Sequence, residues 1–148
     1  MTHLKAGDKA PDFKGKNQNG NTIDSRQLEG IPYVLYFYPK DNTPGCTNEA
    51  KNLRDFYKDF KDKNIEIIGV SPDSISSHKK FADKHNLPFS LIADQDKEIL
   101  KAFGLWGTKK MFGKEYQGVN QQGIITEVFK KVKTKEHAQQ IFSCIKDN

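Results

Sequence analysis

Cys46 and Cys144 are the only thiols in the 148-residue chain, and the neighbours of Cys46 are suited to chemistry. The stretch Tyr36-Phe37-Tyr38-Pro39-Lys40-Asp41-Asn42-Thr43-Pro44-Gly45-Cys46-Thr47 reads as the end of a buried strand that breaks at Pro39. It passes through a short polar turn and restarts as a helix near Cys46. Backbone N–H groups in the first turn of a helix have no intrahelical partner, and the macrodipole adds partial positive charge there, so that position favours a thiolate over a thiol. Cys46 is therefore the candidate nucleophile. Gly45 lets the backbone come close to whatever the sulfur attacks, Pro44 fixes the approach, and Thr43 places a hydroxyl three residues before the sulfur. A lone cysteine is more often inert packing than a nucleophile, but the flanking Pro, Thr and Gly are poor core material and tip the reading toward reactivity.

The spacing Pro39-x-x-x-Thr43-x-x-Cys46 resembles the active-site loop of peroxiredoxins, and the fuller string YFYPKDNTPGCTNEA is similar to the peroxiredoxin Q subfamily, also called bacterioferritin comigratory protein. Further likeness runs from KAGDKAPDF through IIGVSPDS and HNLPFSLIAD to LWGTKKMFGKEY and VKTKEH, nearly the whole chain. The resemblance implies a thioredoxin-like fold and a thiol-dependent peroxidase that reduces hydrogen peroxide or organic hydroperoxides through a sulfenic acid on Cys46. In that scheme Thr43 and the amides around Gly45 and Cys46 hold the oxygens, and Pro39 shields the sulfur from water. No cofactor is implied, because the electrons come through thiols. The family's counterpart of the Gly-punctuated loop 105–113 lies near the active site, so Trp106 either walls the substrate approach or packs that loop onto the core. A monomer is implied by the subfamily.

The elements that must position Cys46 follow from periodicity. Asn19-Gly20 marks a two-residue turn in an N-terminal hairpin, and Asp24 or Ser25 caps a short helical turn ending near Gly30. Residues 31–38 form a central strand, apolar throughout because both faces are covered. After Cys46, Ala50, Leu53, Phe56 or Tyr57, and Phe60 recur at helical spacing. Residues 65–70 form a second buried strand, which completes a βαβ unit with parallel strands. Ile75, His78, Phe81, Ala82 and His85 mark one face of the next helix. His78 and His85 stand seven apart with no acidic or cysteine partner at ligand spacing, so they read as surface or boundary residues, and no metal site is expected. Residues 89–93 make a strand, Asp94 or Asp96 caps a helix stopping at Gly104, and 124–129 make a last strand. The expectation is one α/β domain over 1–148, a central mixed sheet flanked by helices.

The chain departs from the family pattern in two places. Residues 116–119 should lead into a strand that carries an arginine, yet Asn120-Gln121-Gln122-Gly123 arrives at once, about seven residues early for a strand of ordinary length. Neither Arg26 nor Arg54 can stand in, so the sulfur loses a guanidinium, Glu49 loses its expected partner, and the sheet should be interrupted. That loss leaves a non-catalytic peroxiredoxin-like binding protein as the alternative. The second departure is the resolving cysteine: Lys51 occupies one family position and 74–85 contains none. Cys144 falls about 100 degrees off the stripe of Ala138, Ile141, Phe142 and Ile145 on a helix starting near Thr134, a poor place from which to resolve Cys46. A one-cysteine cycle follows, with thioredoxin, glutaredoxin or a small-molecule thiol as reductant.

Composition narrows the rest. The net charge of +5 and pI near 9.1 come from lysine, since Arg26 and Arg54 are the only arginines. Nucleic-acid sites cluster arginine, so Lys109, Lys110, Lys130, Lys131, Lys133 and Lys135 read instead as a solvated face that steers an acidic reductant. No C-x-x-C pair suggests a disulfide reductase, and no Gly-rich cradle follows a strand. The opening residues lack a signal-peptide run and the longest apolar run, 31–38, is far short of a membrane span, so a reducing cytoplasm is expected.

Overall fold

The computed structural model describes residues 4–107, 110–111 and 115–129. Seven strands form one mixed sheet in the order β2-β1-β5-β4-β3-β8-β9, where β1 is Lys14–Lys16, β2 Thr22–Asp24, β3 Tyr33–Phe37, β4 Glu66–Ser71, β5 Ser90–Ala93, β8 Glu115–Val119 and β9 Ile125–Phe129. A separate two-stranded ribbon pairs β6, Trp106–Gly107, with β7, Lys110–Met111. Strands β3, β4 and β5 run parallel, and β1 and β8 join them antiparallel. This is the mixed α/β sheet expected from the sequence. Every residue of β3 is buried, as its unbroken apolar run requires.

Alternation along β3 divides the core in two. Val34 and Tyr36 point to a cluster with Cys46, Ala50, Leu53 and Phe60 of α1, Pro44–Asp62, and with Phe81 and Ala82 of α2, Ile75–His85. Leu35 and Phe37 point to the opposite cluster with Ile99 and Leu100 of α3, Glu98–Ala102, and with Phe13. Gly69 of β4 pairs with Tyr36, and a Cβ there would lie 2.8 Å from both the Tyr36 ring and Leu91 Cδ2. A glycine is needed so that the tyrosine ring can lie flat across β4.

Local signals settle the connections. The N-terminal hairpin turns through residues 17–21 rather than through two, because Asn17 Oδ1 accepts from the amides of both Asn19 and Asn21. Asp24 caps a single turn of 3-10 helix, Ser25–Leu28, accepting from Arg26 N. Asp94 rather than Asp96 serves α3, accepting from Ile99 N and Leu100 N at 3.1 and 2.9 Å.

The expected interruption of the sheet does not occur. Residues 116–119 do not lead to a further strand; they belong to β8, which occupies the place beside β3, with Tyr36 opposite Tyr116 and Tyr33 opposite Val119. Asn120 then closes a hairpin onto β9. Its N–H donates to Ile124 O at 2.9 Å, its Oδ1 accepts from Gln122 N and Ile124 N, and Gly123 takes the positive φ of 79° that the turn demands. The physical reason is that β3 needs a partner for its backbone groups on that side. EYQGV supplies one apolar side chain to each cluster, Tyr116 to the first and Val119 to the second. The C-terminal helix expected from Thr134, with Cys144, and the lysines from 130 onward lie outside the described residues.

Candidate thiol site

β3 runs out at Phe37, and Tyr38 donates its amide to Val70 O at 3.1 Å before the chain leaves the sheet at Pro39. The helix resumes at Pro44 with Thr43 as its N-cap residue, which puts Cys46 third in the first turn. Pro44 has no N–H, and Thr47 N is taken by Thr43 O at 2.8 Å. The amides of Gly45 and Cys46 are thus the first-turn donors without a helical acceptor. Thr43 does not cap them; its hydroxyl donates to Lys40 O at 3.2 Å instead.

The sulfur is not open to solvent. Cys46 is 1% exposed and shares its cluster with the rings of Tyr36, Tyr38 and Tyr116 and with aliphatic side chains such as Val34, Ala50 and Leu53. The Tyr36 ring stacks on Tyr116 at 5.7 Å and on Tyr38 at 5.1 Å. Burial pushes Tyr36 well above the ordinary phenol range, followed by the charges of Asp41, Glu49 and Cys46. Burial likewise raises Tyr116, with Glu49 adding to it by charge and hydrogen bonding, and Tyr36 and Cys46 behind. Glu49, one turn beyond the thiol, is itself 2% exposed. Its expected isolation is therefore corrected: it sits among phenols. Pro39 and Pro44 are exposed, while Thr43 and Gly45 are half-buried.

No arginine reaches the site. Arg26 is held by Asp24 at 3.0 Å, and Arg54 by Asp55 and the His85 carbonyl at 3.0 and 2.9 Å. Trp106 packs against the cluster on the opposite face from Cys46, under Lys97 Nζ at 5.5 Å from its ring. Among the described residues Cys46 is the free cysteine.

One group differs from its sequence expectation. His78 is fully buried, not at a surface or boundary. Its Nδ1 faces Asp41 Oδ2 at 2.7 Å and its Nε2 faces the Ile92 carbonyl at 3.0 Å. Asp41, five residues before Cys46, also accepts from Tyr38 Oη at 2.6 Å and Ser77 Oγ at 2.8 Å, and its N–H donates to Asp73 Oδ2 at 2.7 Å. The partner lies 37 residues away in sequence, beyond anything that residue spacing along one helix can show. Asp41, Asp73 and His78 offer ligand atoms within 4.8 Å of one another, the candidate metal cluster among the described residues. Those atoms already exchange hydrogen bonds with one another or with Tyr38, Ser71 and Ser77, so the cluster is explained without an ion.

The model of the AhpC/TSA family matches residues 6–133 of this chain. The chain belongs to that family. Within it, Peroxiredoxin Bcp of Bacillus subtilis (strain 168) is 43% identical over 151 residues, covering 97% of this chain and 96% of its own. Peroxiredoxin Bcp of Escherichia coli (strain K12) is 36% identical over 155 residues, covering 100% of this chain and 99% of its own. That alignment runs over 155 positions against 148 here, which leaves seven without a counterpart, the size of the shortfall read from the sequence. A cysteine-to-serine mutant of PrxQ from Xylella fastidiosa superposes with a TM-score of 0.92 at 27% identity, over 99% of this chain and 98% of its own. A bacterioferritin comigratory protein from Xanthomonas campestris, whose structure is described in terms of alkyl peroxide reduction, gives 0.86 at 28% over 99% and 98%. As an AhpC/TSA family member the chain thus has relatives across nearly its whole length. No helix of the described residues is long and apolar enough to cross a membrane.

Proposed function

We propose that this chain is a thiol peroxidase acting on hydrogen peroxide and organic hydroperoxides, with Cys46 as its nucleophile. The observation that carries the assignment is Cys46 in the first turn of α1 beneath an N-cap threonine whose hydroxyl is turned away, so that the Gly45 and Cys46 amides are left for a ligand. The thiolate sulfur forms a bond to the terminal peroxide oxygen as the O–O bond breaks. The leaving oxygen takes a proton and departs as water or an alcohol, and Cys46 is left as a sulfenic acid. Those amides hold the negative charge as it moves from sulfur to oxygen. Thr43 stands close enough in sequence to donate to a bound oxygen once peroxide displaces its bond to Lys40.

A reducing thiol then attacks the sulfenic sulfur, water leaves, and a second thiol resolves the mixed disulfide. Thioredoxin, glutaredoxin or a small-molecule thiol fits this one-cysteine cycle, in a monomeric cytoplasmic protein. Cys144 is the internal candidate in a two-cysteine version. Stopped-flow oxidation of Cys46 by stoichiometric peroxide tests the proposal. Thiol loss far faster than that of free cysteine, abolished turnover in Cys46→Ser and an unchanged fold are expected. A Cys46 that reacts no faster than a free thiol would leave the non-catalytic binding reading in its place.

A further inference from the structure

Cys46 is buried, and yet the sulfenic acid it forms must be met by a second thiol larger than peroxide. The first turn of α1 has to open, and the question is what holds it shut. Thr43 contributes no cap bond. The half of the loop before it is tied down chiefly at Asp41, beside a long bond from the exposed Lys84 Nζ to Asn42 Oδ1 at 3.4 Å. The Asp41 carboxylate receives Tyr38 Oη from the end of β3, Ser77 Oγ and His78 Nδ1 from α2, and its N–H reaches Asp73 beyond β4. Next to it Asn42 sits at a positive φ of 63°, a conformation that costs free energy unless its surroundings impose it.

The hydrogen-bond inventory fixes the character of this knot. His78 leaves neither ring nitrogen without a partner, since Nδ1 meets the Asp41 carboxyl and Nε2 the Ile92 carbonyl. The Asp41 carboxyl is in turn met by three groups, Tyr38 Oη, Ser77 Oγ and His78 Nδ1. The two side chains are 3% and 0% exposed. A buried polar pair must offset its own desolvation, but removing a single partner leaves the other unsatisfied at a high cost, which makes the contact a discrete fastening with two distinct states.

We propose that the Asp41–His78 pair is the latch on the Cys46 loop: a positioning pair that keeps the mouth of α1 closed around the sulfur while peroxide reacts and sets how readily that mouth opens to the reducing thiol. The inference rests on Cys46 being the reacting thiol. A loosened latch should slow the step that needs organised amides and speed the step that needs access. A change that merely weakened the fold would not split the two rates in opposite directions.

The test uses the full chain in a Cys144→Ser background, so that Cys46 is the sole thiol. Peroxide oxidation is followed by stopped flow, and accessibility by the reaction of Cys46 with the bulky aromatic disulfide DTNB. His78→Phe should slow oxidation about tenfold and speed DTNB reaction by a similar factor, in the range of ordinary coupling between sites. His78→Asn, which keeps a donor toward Asp41, should recover part of both changes. If His78→Phe does not fold, Ser77→Ala removes one donor to Asp41 without touching the core and should show the same split at about threefold. Rates that move together or stay unchanged in folded variants would overturn the latch. A wild-type Cys46 that ignores peroxide would instead sink the peroxidase reading, while the DTNB measurements would still report on the latch.

Discussion

The two strands that flank β3 are made of different material. On one side β4 pairs in parallel through a ladder without a break, and Ile67, Ile68 and Val70 are all buried. On the other side β8 keeps the ladder but not the packing. Tyr116 joins the Cys46 cluster, yet Glu115 and Gln117 stand opposite Phe37 and Leu35 on the far face, both buried, and the register to β9 shifts between Gly118 and Val119. Gln117 Nε2 donates to Glu115 Oε2 at 2.6 Å, and Gln117 Oε1 has no partner among the described residues. Burying an aliphatic side chain contributes roughly 1.5–3 kcal/mol, whereas a buried polar pair must first offset its own desolvation. The comparison teaches that a strand position beside the site can be held by backbone bonds, one aromatic ring on the near face and Val119 on the far one, with a buried polar pair beside it.

Substitutions on the two flanks should therefore have opposite signs. Ile68→Ala should cost most, about 2–5 kcal/mol, seen as a lower denaturant midpoint at an unchanged m-value. Gly69→Ala should cost about 1–3 kcal/mol, because the added Cβ drives the Tyr36 ring and Leu91 apart. On β8 the double change Glu115→Met with Gln117→Met, similar in volume and free of polar atoms, should instead raise stability by about 1–2 kcal/mol. A loss in that variant would break the comparison, since it would mean the polar pair is integral to the sheet.

The same contrast explains what could be read from the sequence. β3, β4, α1 and α2 were legible because their apolar periodicity is strong and local, and Cys46 because Pro, Thr and Gly crowd around it. β8 was not, since Glu-Tyr-Gln-Gly-Val has no apolar alternation and its place is dictated by the unpaired edge of β3 rather than by its own side chains. The His78 partnership was hidden for a related reason: a buried histidine looks like an exposed one until the distant carboxylate that receives its proton is known. Trp106 has two readings, and its packing against the far cluster is set by long-range contacts that the sequence does not display.

The tyrosines sharpen the comparison electrostatically. All five carry raised values: Tyr33 and Tyr57 to about 12, chiefly through burial, and Tyr36, Tyr38 and Tyr116 well beyond the ordinary range. A raised value in the folded state means stability that is complete below the unfolded value near pH 10 and lost as pH rises through about 12. Tyrosinate absorbance should therefore be missing at about pH 10, where unfolded chains are half titrated. It should appear together with loss of the fold, Tyr33 and Tyr57, raised only to about 12, first. Titration of a tyrosine of the Cys46 cluster at an ordinary pH would show that the thiol's surroundings are wet.

The smallest expected effect lies at the end of α2, where the surroundings are cationic rather than phenolic. Burial lowers His85 below the ordinary imidazole value, and Lys84, Lys51 and Arg54 lower it further. Its ring packs edge-on against Phe81 at 5.3 Å and its carbonyl holds Arg54. With the folded value depressed, the native state binds fewer protons than the unfolded chain. His85 therefore contributes stability that is complete above about pH 6.5 and lost as pH falls through its folded value. In urea titrations from neutral pH to about pH 5, the advantage of the wild type over His85→Gln should shrink as the pH falls. Added salt should remove only part of that slope, because burial, the leading cause, is not screened. A slope that vanishes entirely in salt would make the three cations, and not burial, the reason this histidine resists its proton.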